Sequence, residues 1–197
     1  MLATYNQPMF LVWVLITLAR QSVGDFEVVV ADDGSTEETK RLLERLAPRF
    51  PGGIQHVWQE DRGFRKCLAL NRAVHRTRSD YLIFTDGDCL LHRHFVRAHR
   101  ELARSDRFLI GRMPRLGPKI TASIRIPDLE SGRAQRLTLD KLWDGLFGES
   151  TKIEFGIYVP VRWAFDLVRK TKKRLDLWGG NFSCSKADFV AVNGFNN

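Results

Sequence analysis

Residues 26–35 read FEVVVADDGS, a β-branched apolar run that ends in two carboxylates, a glycine and a serine. The run Phe26–Ala31 predicts a buried β-strand, and the polar residues after it predict a loop. Residues 81–88, YLIFTDGD, repeat the pattern, with a predicted strand at Tyr81–Thr85 and carboxylates at its end. The fold is therefore expected to contain buried strands whose carboxyl ends carry acidic side chains.

Helical segments separate the predicted strands. An apolar helix is expected from Pro8 to about Gln21, because proline suits the first helical turn. Ser35 is the predicted N-cap of the next helix, whose leucines keep helical spacing up to Pro48. The other predicted elements of this half are a first strand, a third strand and a third helix: Leu2–Tyr5, Gln55–Gln59 and Ala69–Thr77. The order β-α-β-α-β-α-β predicts an α/β fold, a Rossmann-like and mainly parallel sheet with helices on both faces. Ligands of such sheets bind at the carboxyl ends of the strands.

The second half of the chain has a less regular pattern. A strand is predicted at Phe108–Met113, and helices are predicted at Leu137–Phe147 and Pro160–Lys172. The stretch Trp178-Gly179-Gly180-Asn181-Phe182 follows, where the glycines indicate a sharp turn or a close approach of the backbone to a neighbour.

Composition and charge narrow the class of protein. The chain has 197 residues, of which 44% are hydrophobic, and this excludes a disordered chain or a disulfide-built miniprotein. The net charge of +8 indicates an anionic partner, either a polymer or a small molecule. The charge is uneven: residues 1–61 carry five basic and nine acidic side chains, whereas Arg93–Arg136 carries eleven basic and four acidic ones.

The cysteines and the apolar runs bear on the compartment. Cys67, Cys89 and Cys184 are odd in number and widely spaced, which favours neither a disulfide framework nor a zinc site. The most apolar run, Met9–Ala19, is too short to span a bilayer, which needs about 20 residues. We therefore expect a cytoplasmic protein. Its basic stretches are compatible with an anionic acceptor or with peripheral contact with the anionic inner face of the cell membrane.

Three clusters have the chemistry of a nucleotide site. Asp86 and Asp88 form a pair of hard oxygen ligands suited to Mg2+ or Mn2+ shared with phosphate oxygens. Asp33 follows a neighbouring strand, where a carboxylate accepts hydrogen bonds from a base or a ribose. The cations Arg65 and Lys66 precede a helix whose N-terminus favours anions such as a diphosphate. As single motifs, these clusters do not establish a site, because a surface turn, an N-capped turn and a basic turn use the same residue types.

Taken in order, the motifs resemble the family 2 glycosyltransferases of GT-A fold, the nucleotide-diphospho-sugar transferase fold. The resemblance is strongest to the chondroitin-polymerase-like and galactosyltransferase-like branch. It rests on five motifs: Thr4-Tyr5-Asn6, Asp32-Asp33-Gly34-Ser35-Thr36, Gly63-Phe64-Arg65 with Ala69-Leu70-Asn71, Asp86-Gly87-Asp88, and Gly179-Gly180-Asn181-Phe182.

This resemblance implies a hexosyltransferase that moves a sugar from a nucleotide diphosphate donor, most often a UDP-sugar, with inversion at the anomeric carbon. The acceptor would be a glycan or glycolipid, as in polysaccharide biosynthesis, and the cofactor would be Mn2+ or Mg2+. The implied donor-binding residues are Ala3, Tyr5, Asn6, Asp33, Arg65 and Asp86. The implied metal ligands are Asp88, the principal one, and Asp86; the implied acceptor-side residues are Trp178, Gly179, Gly180 and Asn181.

The resemblance also raises expectations about the limits of the chain. In this branch the catalytic base is a carboxylate that follows a Gly-Phe pair, so here we expect it after Asn197; Asp176 is a weak candidate within the chain. We expect a single GT-A domain over residues 1–197, truncated at both ends and poorly active in transfer for that reason. Residues 1–105 would be its nucleotide-sugar-binding half and residues 106–197 its acceptor-side half.

Three alternatives remain open at this point. A catalytically impaired GT-A domain would bind UDP-sugar without transferring it. A nucleic-acid-binding module would account for the basic middle of the chain, but its usual signatures are absent from the sequence. A nucleotidyltransferase would need a glycine-rich phosphate loop directly after the first strand, where this chain has Thr4-Tyr5-Asn6-Gln7-Pro8.

Overall fold

The computed structural model of the protein describes residues 1–156 and 179–196. Strands and helices alternate through the first hundred residues, as predicted. The strands are β1 (Leu2–Thr4), β2 (Val28–Asp32), β3 (Ile54–Trp58), β4 (Tyr81–Asp86), β5 (Leu109–Ile110) and β6 (Asn181–Ser185). The α-helices are α1 (Pro8–Ala19), α2 (Glu37–Leu46), α3 (Lys66–Arg76), α4 (Phe95–Glu101), α5 (Pro118–Ser123), α6 (Ile126–Ser131), α7 (Leu139–Phe147) and α8 (Lys186–Ala191).

The six strands form one sheet in the order β3-β2-β1-β4-β6-β5. Strand β1 pairs in parallel with both β2 and β4, β2 pairs in parallel with β3, and β6 runs antiparallel to β4. The mainly parallel sheet predicted from the sequence is therefore confirmed. Because β2 and β3 lie on one side of β1 and β4 lies on the other, the strand order reverses between β1 and β4. Such a switch point opens a crevice at the carboxyl ends of the strands, where ligands of open α/β sheets bind.

One face of the sheet packs against α1, α2 and α4. Leu2, Val28 and Val30 point from the strands into a cluster with leucines and valines of these helices. Helix α1 is apolar on nearly all sides, and seven of its twelve residues are buried. This burial on more than one face is what its continuous apolar sequence predicts.

The opposite face carries an aromatic cluster. Phe84 and Phe182 are cross-strand neighbours on β4 and β6, with ring centroids 4.4 Å apart and nearly parallel planes. Phe189 of α8 and Phe195 pack on Phe84 at 5.3 and 5.5 Å. The Asn71 side chain of α3 donates to the carbonyl oxygen of Phe195 and accepts from its N–H, which fixes this segment against α3. Helices thus cover both faces of the sheet.

The chain divides into two compact units. The first consists of Met1–Leu109 with Gly179–Asn197, and the second is Ile110–Trp178. In the second unit, Arg115 and Thr151 form an antiparallel bridge, and the buried Lys141 of α7 donates to the carbonyl oxygens of Ala134 and Arg136. Among the residues that the structure describes, no helix is both long and apolar enough to cross a membrane.

Several elements differ from the sequence predictions. The residue that precedes α2 is Thr36 and its side chain makes no capping bond, so the prediction of Ser35 as the N-cap is wrong. The strand predicted at Phe108–Met113 is only Leu109–Ile110. The sharp turn that the glycines indicate is present at Gly179 and Gly180, but the strand β6 that begins directly after it, at Asn181, was not predicted. The helix predicted at Pro160–Lys172 lies outside the described residues.

The aromatic cluster generates a stability prediction. Phe84 is fully buried, so Phe84→Ala is expected to lower the free energy of unfolding by about 3–5 kcal/mol, through lost burial and the cavity left behind. Phe64→Ala is the matched control, because that ring is 88% exposed, and its effect should stay within about 0.5 kcal/mol. Urea denaturation of the three proteins measures both effects. If the two variants lose equal amounts of unfolding free energy, this account of the core is contradicted.

Candidate functional site

The carboxyl ends of β1, β2, β3 and β4 bring most of the predicted site residues to one edge of the sheet. Tyr5 and Asn6 follow β1, Asp33 follows β2, and Asp86 is the last residue of β4. Ala3, on β1, is the register partner of Ala31 on one side and of Asp86 on the other. The switch point between β1 and β4 is therefore flanked by predicted donor-binding residues from both strands.

Asp33 is held in place by the loop that leads into α3. It is only 4% exposed. The Gln59 side-chain amide donates to its Oδ1 at 2.6 Å, and the backbone N–H of Arg65 donates to its Oδ2 at 2.7 Å. Gln59 is itself buried and accepts from the Arg72 guanidinium at 3.1 Å. These contacts bring Asp33 and Arg65 together and leave further lone pairs on the carboxylate oxygens.

The neighbouring Asp32 shapes the turn after β2. It is fully buried and accepts from the N–H of Ser35 and from His56 Nε2, each at 2.8 Å. Burial alone raises the pKa of Asp32, but the hydrogen bonds from His56 and Ser35 outweigh it and hold the pKa below its usual value. The two adjacent carboxylates thus differ in role, since Asp32 stabilises the turn and Asp33 lies at the strand edge.

Tyr5 and Asn6 connect β1 to two loops. The Tyr5 ring is about half exposed, and its hydroxyl donates to Asp61 Oδ2 at 2.8 Å. This bond, with the Asp61 charge, raises the pKa of Tyr5. Asn6 has a positive φ of 46°; its N–H donates to Ser35 Oγ, and its side-chain oxygen accepts from the N–H of Thr36. Asn6 therefore uses its polar groups within the protein, while the Tyr5 ring keeps an open surface.

The pair Asp86 and Asp88 lies beside β1 because of the glycine between them. A Cβ on Gly87 would lie 2.7 Å from the carbonyl oxygen of Ala3, a contact that real Cβ atoms essentially never show. Any side chain at this position would push the end of β4 away from β1. Asp86 is partly buried and accepts from the Lys66 ammonium, whereas Asp88 is exposed.

The donor set of this pair fits an ion shared with phosphate. Within residues 1–156 and 179–196, no three or more His, Cys, Asp or Glu side chains form a group that would hold a metal by themselves. Mg2+ and similar hard cations are usually bound by one or two carboxylates, with water and substrate phosphates as the other ligands. Asp86 and Asp88 are two positions apart in the chain and supply the one or two carboxylates that such a site requires, so an all-protein cage is not needed.

The N-terminus of α3 adds positive charge beside the carboxylates. Arg65 is the residue before the helix and Lys66 is its first residue. The Arg65 guanidinium donates to the carbonyl oxygen of Glu60, and its buried Nε has no hydrogen-bond partner among the described residues. Two cations and the free N–H groups of a helix end thus lie at the same edge as the acidic pair.

A buried polar chain on the other side of β4 was missed by the sequence analysis. Tyr81 Oη lies 2.8 Å from Ser183 Oγ, which lies 2.7 Å from His99 Nδ1, and His99 Nε2 lies 3.1 Å from Asn181 Oδ1. The amide oxygen only accepts, so His99 donates from Nε2, accepts from Ser183 at Nδ1, and Ser183 accepts from Tyr81. Asn181, the register partner of Thr85, is thereby oriented at the edge next to Asp86.

No local pattern marks His99 in the sequence, because its partners are more than 80 residues away. Of the other predicted acceptor-side residues, Gly179 and Gly180 form the turn before β6. Among the residues that the structure describes, none apart from its chain neighbours has an atom within 4 Å of the position that a Cβ on Gly179 would take. Trp178 and the candidate base Asp176 lie outside the described residues.

Because His99 is buried, it is expected to contribute to the pH dependence of the free energy of unfolding. Burial lowers the pKa of His99 to about 4, whereas an unfolded histidine titrates near 6.5. Between these values the unfolded state binds one proton more than the folded state. Stability therefore falls as the pH falls from about 6.5 to 4, with a contribution from this residue on the order of 3 kcal/mol.

His99→Gln should flatten the curve of unfolding free energy against pH in that window. His75→Gln replaces an exposed histidine of α3 and should keep the wild-type slope. Urea denaturation at pH values between 4 and 7 measures both slopes. Parallel curves for wild type and His99→Gln would contradict the buried, neutral state assigned to His99.

Comparison with known proteins assigns the chain to a family. The profile described as Glycosyl transferase family 2 matches residues 1–151. Validoxylamine A glucosyltransferase from Streptomyces hygroscopicus subsp. jinggangensis is 32% identical over 203 aligned positions, which include 98% of this chain and 45% of that protein. The chain thus spans less than half the length of this relative.

Solved structures share the fold. A mannosyltransferase from Pyrobaculum calidifontis, in complex with GDP-Man and Mn2+, superposes with a TM-score of 0.57 at 20% identity, over 99% of this chain and 46% of that one. Residues 1–349 of S. aureus TarS, in complex with UDP-GlcNAc, superpose with a TM-score of 0.50 at 25% identity, over 57% of this chain and 33% of that one. The sheet order, the carboxylates at its edge and the family profile agree: the chain has the GT-A fold and belongs to glycosyl transferase family 2.

Proposed function

We propose that this chain transfers a hexose from a UDP-sugar to a hydroxyl group of a glycan or glycolipid, with inversion at the anomeric carbon and with a divalent ion as cofactor. One observation carries the proposal. Asp33 and Asp86 contact the cationic start of α3 at the switch point between β1 and β4, and the exposed Asp88 lies two residues after Asp86. A nucleoside diphosphate with a bound cation has the complementary groups, since it combines hydrogen-bond donors, a cation and phosphate oxygens in one ligand.

Asp33 and Tyr5 would bind the uracil. Asp33 is oriented by Gln59 and Arg65, and an ionised carboxylate is an acceptor for the N3–H of the base. The half-exposed Tyr5 ring offers a stacking surface, and its bond to Asp61 restrains the ring. Because both residues are positioned by contacts within the protein, little ordering is required when the base binds.

Arg65, Asp86 and Asp88 would bind the diphosphate end of the donor. The exposed Asp88 is the principal ligand in this proposal, and Asp86 lies beside it at the end of β4. The ion, when bound, would neutralise negative charge that develops on the leaving UDP. The Arg65 guanidinium and the N-terminal N–H groups of α3 would stabilise the same charge through donors that are in place before the reaction.

The acceptor would approach the side of the edge formed by Gly179, Gly180 and Asn181. In inverting transfer, a carboxylate base removes the proton of the acceptor hydroxyl while that oxygen attacks the anomeric carbon from the face opposite to UDP. Residues 106–197 would contribute most of the acceptor side, and residues 1–105 would contribute most of the donor side. The Arg-rich stretch Arg93–Arg136 suits an anionic acceptor.

Calorimetric titration with UDP tests the nucleotide assignment. UDP is expected to bind more tightly in the presence of Mn2+ than in its absence, because the ion neutralises charge on both the phosphates and the acidic pair. GDP serves as the control for the base and should bind more weakly than UDP. Absence of UDP binding in both conditions would overturn the proposal, and tighter binding of GDP would overturn the uridine assignment.

Asp88→Ala tests the metal assignment. In the presence of Mn2+, this variant is expected to bind UDP at least about tenfold more weakly, equivalent to about 1.4 kcal/mol. Without Mn2+ its affinity should equal or exceed that of the wild type, because the carboxylate that repels the phosphates is gone. The control is Asp25→Ala, which removes an exposed carboxylate that pairs with Arg100, remote from the carboxyl edge. Equal losses with and without Mn2+ would show that Asp88 does not act through the ion.

A further inference from the structure

The first residue of α3 is a lysine with an unusual electrostatic position. Lys66 begins the helix, and the first turn contains no acidic residue. The positive end of the helix dipole favours anions and disfavours a lysine there. The Lys66 ammonium contacts Asp86 Oδ1, and the two side chains are 29% and 31% exposed. Asp86 is thus the anion that compensates Lys66, and Lys66 neutralises one of the two proposed metal ligands.

The ammonium group and a divalent ion would compete for Asp86. Both are cations, and the oxygen of Asp86 that accepts from Lys66 is one of the two that the side chain offers to a metal. An ion ligated by Asp86 and Asp88 would also repel the Lys66 ammonium and the neighbouring Arg65 guanidinium. Lys66 therefore weakens the affinity of the acidic pair for a cation that binds by itself.

A diphosphate removes the competition between Lys66 and the ion for Asp86. Its oxygens ligate the ion and also accept hydrogen bonds from an ammonium group, so Lys66 gains a new anionic partner when it leaves Asp86. The lysine side chain is suited to such a move, because it is a point charge on a flexible stem and is here about 30% exposed. The cost that Lys66 imposes on ion binding is thus removed only when a diphosphate binds with the ion.

We propose that Lys66 is an exchange residue that couples ion binding to donor binding: it competes with the divalent ion for Asp86 and transfers to the donor phosphates when both bind. The proposal rests on the function proposed above and goes beyond it. It assigns to one residue two effects: Lys66 lowers the affinity for the ion alone and raises the affinity for the nucleotide when the ion is bound. Such coupling makes the protein bind the divalent ion weakly when no nucleotide-sugar donor is present. In thermodynamic terms, Lys66 increases the factor by which UDP and the ion raise each other's affinity.

Lys66→Met tests the coupling, since methionine keeps most of the side-chain length and removes the charge. Two affinities are measured by calorimetry on the folded protein: that of Mn2+ alone, and that of UDP in saturating Mn2+. The variant is expected to bind Mn2+ alone more tightly than the wild type and UDP more weakly. The coupling factor between the two ligands should fall by about tenfold, within the usual range for linked sites.

Lys40→Met is the matched control, because Lys40 also pairs with a carboxylate, Glu37, but on the exposed surface of α2. It should leave both affinities unchanged. Lys66→Arg keeps the charge and should retain the weak binding of Mn2+ alone. A circular dichroism melting curve for each variant establishes that it is folded at the temperature of the titrations.

The possible outcomes separate this proposal from the proposed function. If the wild type binds UDP with Mn2+ but Lys66→Met leaves the Mn2+ affinity unchanged or lowers it, the exchange role is overturned and the proposed function stands. A variant that loses only UDP affinity would make Lys66 a simple phosphate ligand and would likewise overturn the exchange. Failure of the wild type to bind UDP in any condition overturns both proposals.

Discussion

The parallel pairing of the three-residue strand β1 with both β2 and β4 is the constraint on which the site depends. This pairing places β1 at the switch point of the sheet, with the carboxyl ends of its two neighbours on either side. Gly87 maintains the spacing at that point, since a side chain there would meet the Ala3 carbonyl oxygen. The acidic residues after β2 and β4 can approach one ligand only while this junction is intact.

Charge at this edge is balanced between the strands and the start of α3. Asp33 accepts from the Arg65 backbone, and Asp86 accepts from Lys66, so the start of α3 is bound to carboxylates from the ends of two strands. The edge thus carries charges of both signs, which the proposed binding of a cation–diphosphate complex requires. In that proposal, the acidic residues of the first third of the chain and the basic start of α3 contribute to the same site.

The two faces of the sheet support this edge differently. The α1, α2 and α4 face is a cluster of aliphatic side chains, whereas the other face is built on stacked phenylalanines and the Asn71 clamp on Phe195. On the aliphatic face, the Tyr81–Ser183 bond joins β4 to β6, and the bonds that His99 of α4 makes with Ser183 and Asn181 hold Asn181 in place at the end of β6. The position of the Gly179–Gly180 turn, which leads into β6, thus depends on contacts that β6 makes on both faces of the sheet.

The sequence by itself determined the α/β class, the alternation up to β4, the family and the location of acidic residues after strands, because β-branched runs, helical spacing and turn residues are local signals. It did not reveal the strand β6, whose short alternating run follows two glycines, or the roles of His99, Gln59 and Lys66. Only the tertiary structure decided that Asp32 is a buried turn residue while Asp33 lies at the edge, and that Lys66 pairs with Asp86. The physical reason is that these roles arise from hydrogen bonds and ion pairs between residues 20 or more positions apart, which are brought together by strand pairing and leave no pattern in the local sequence.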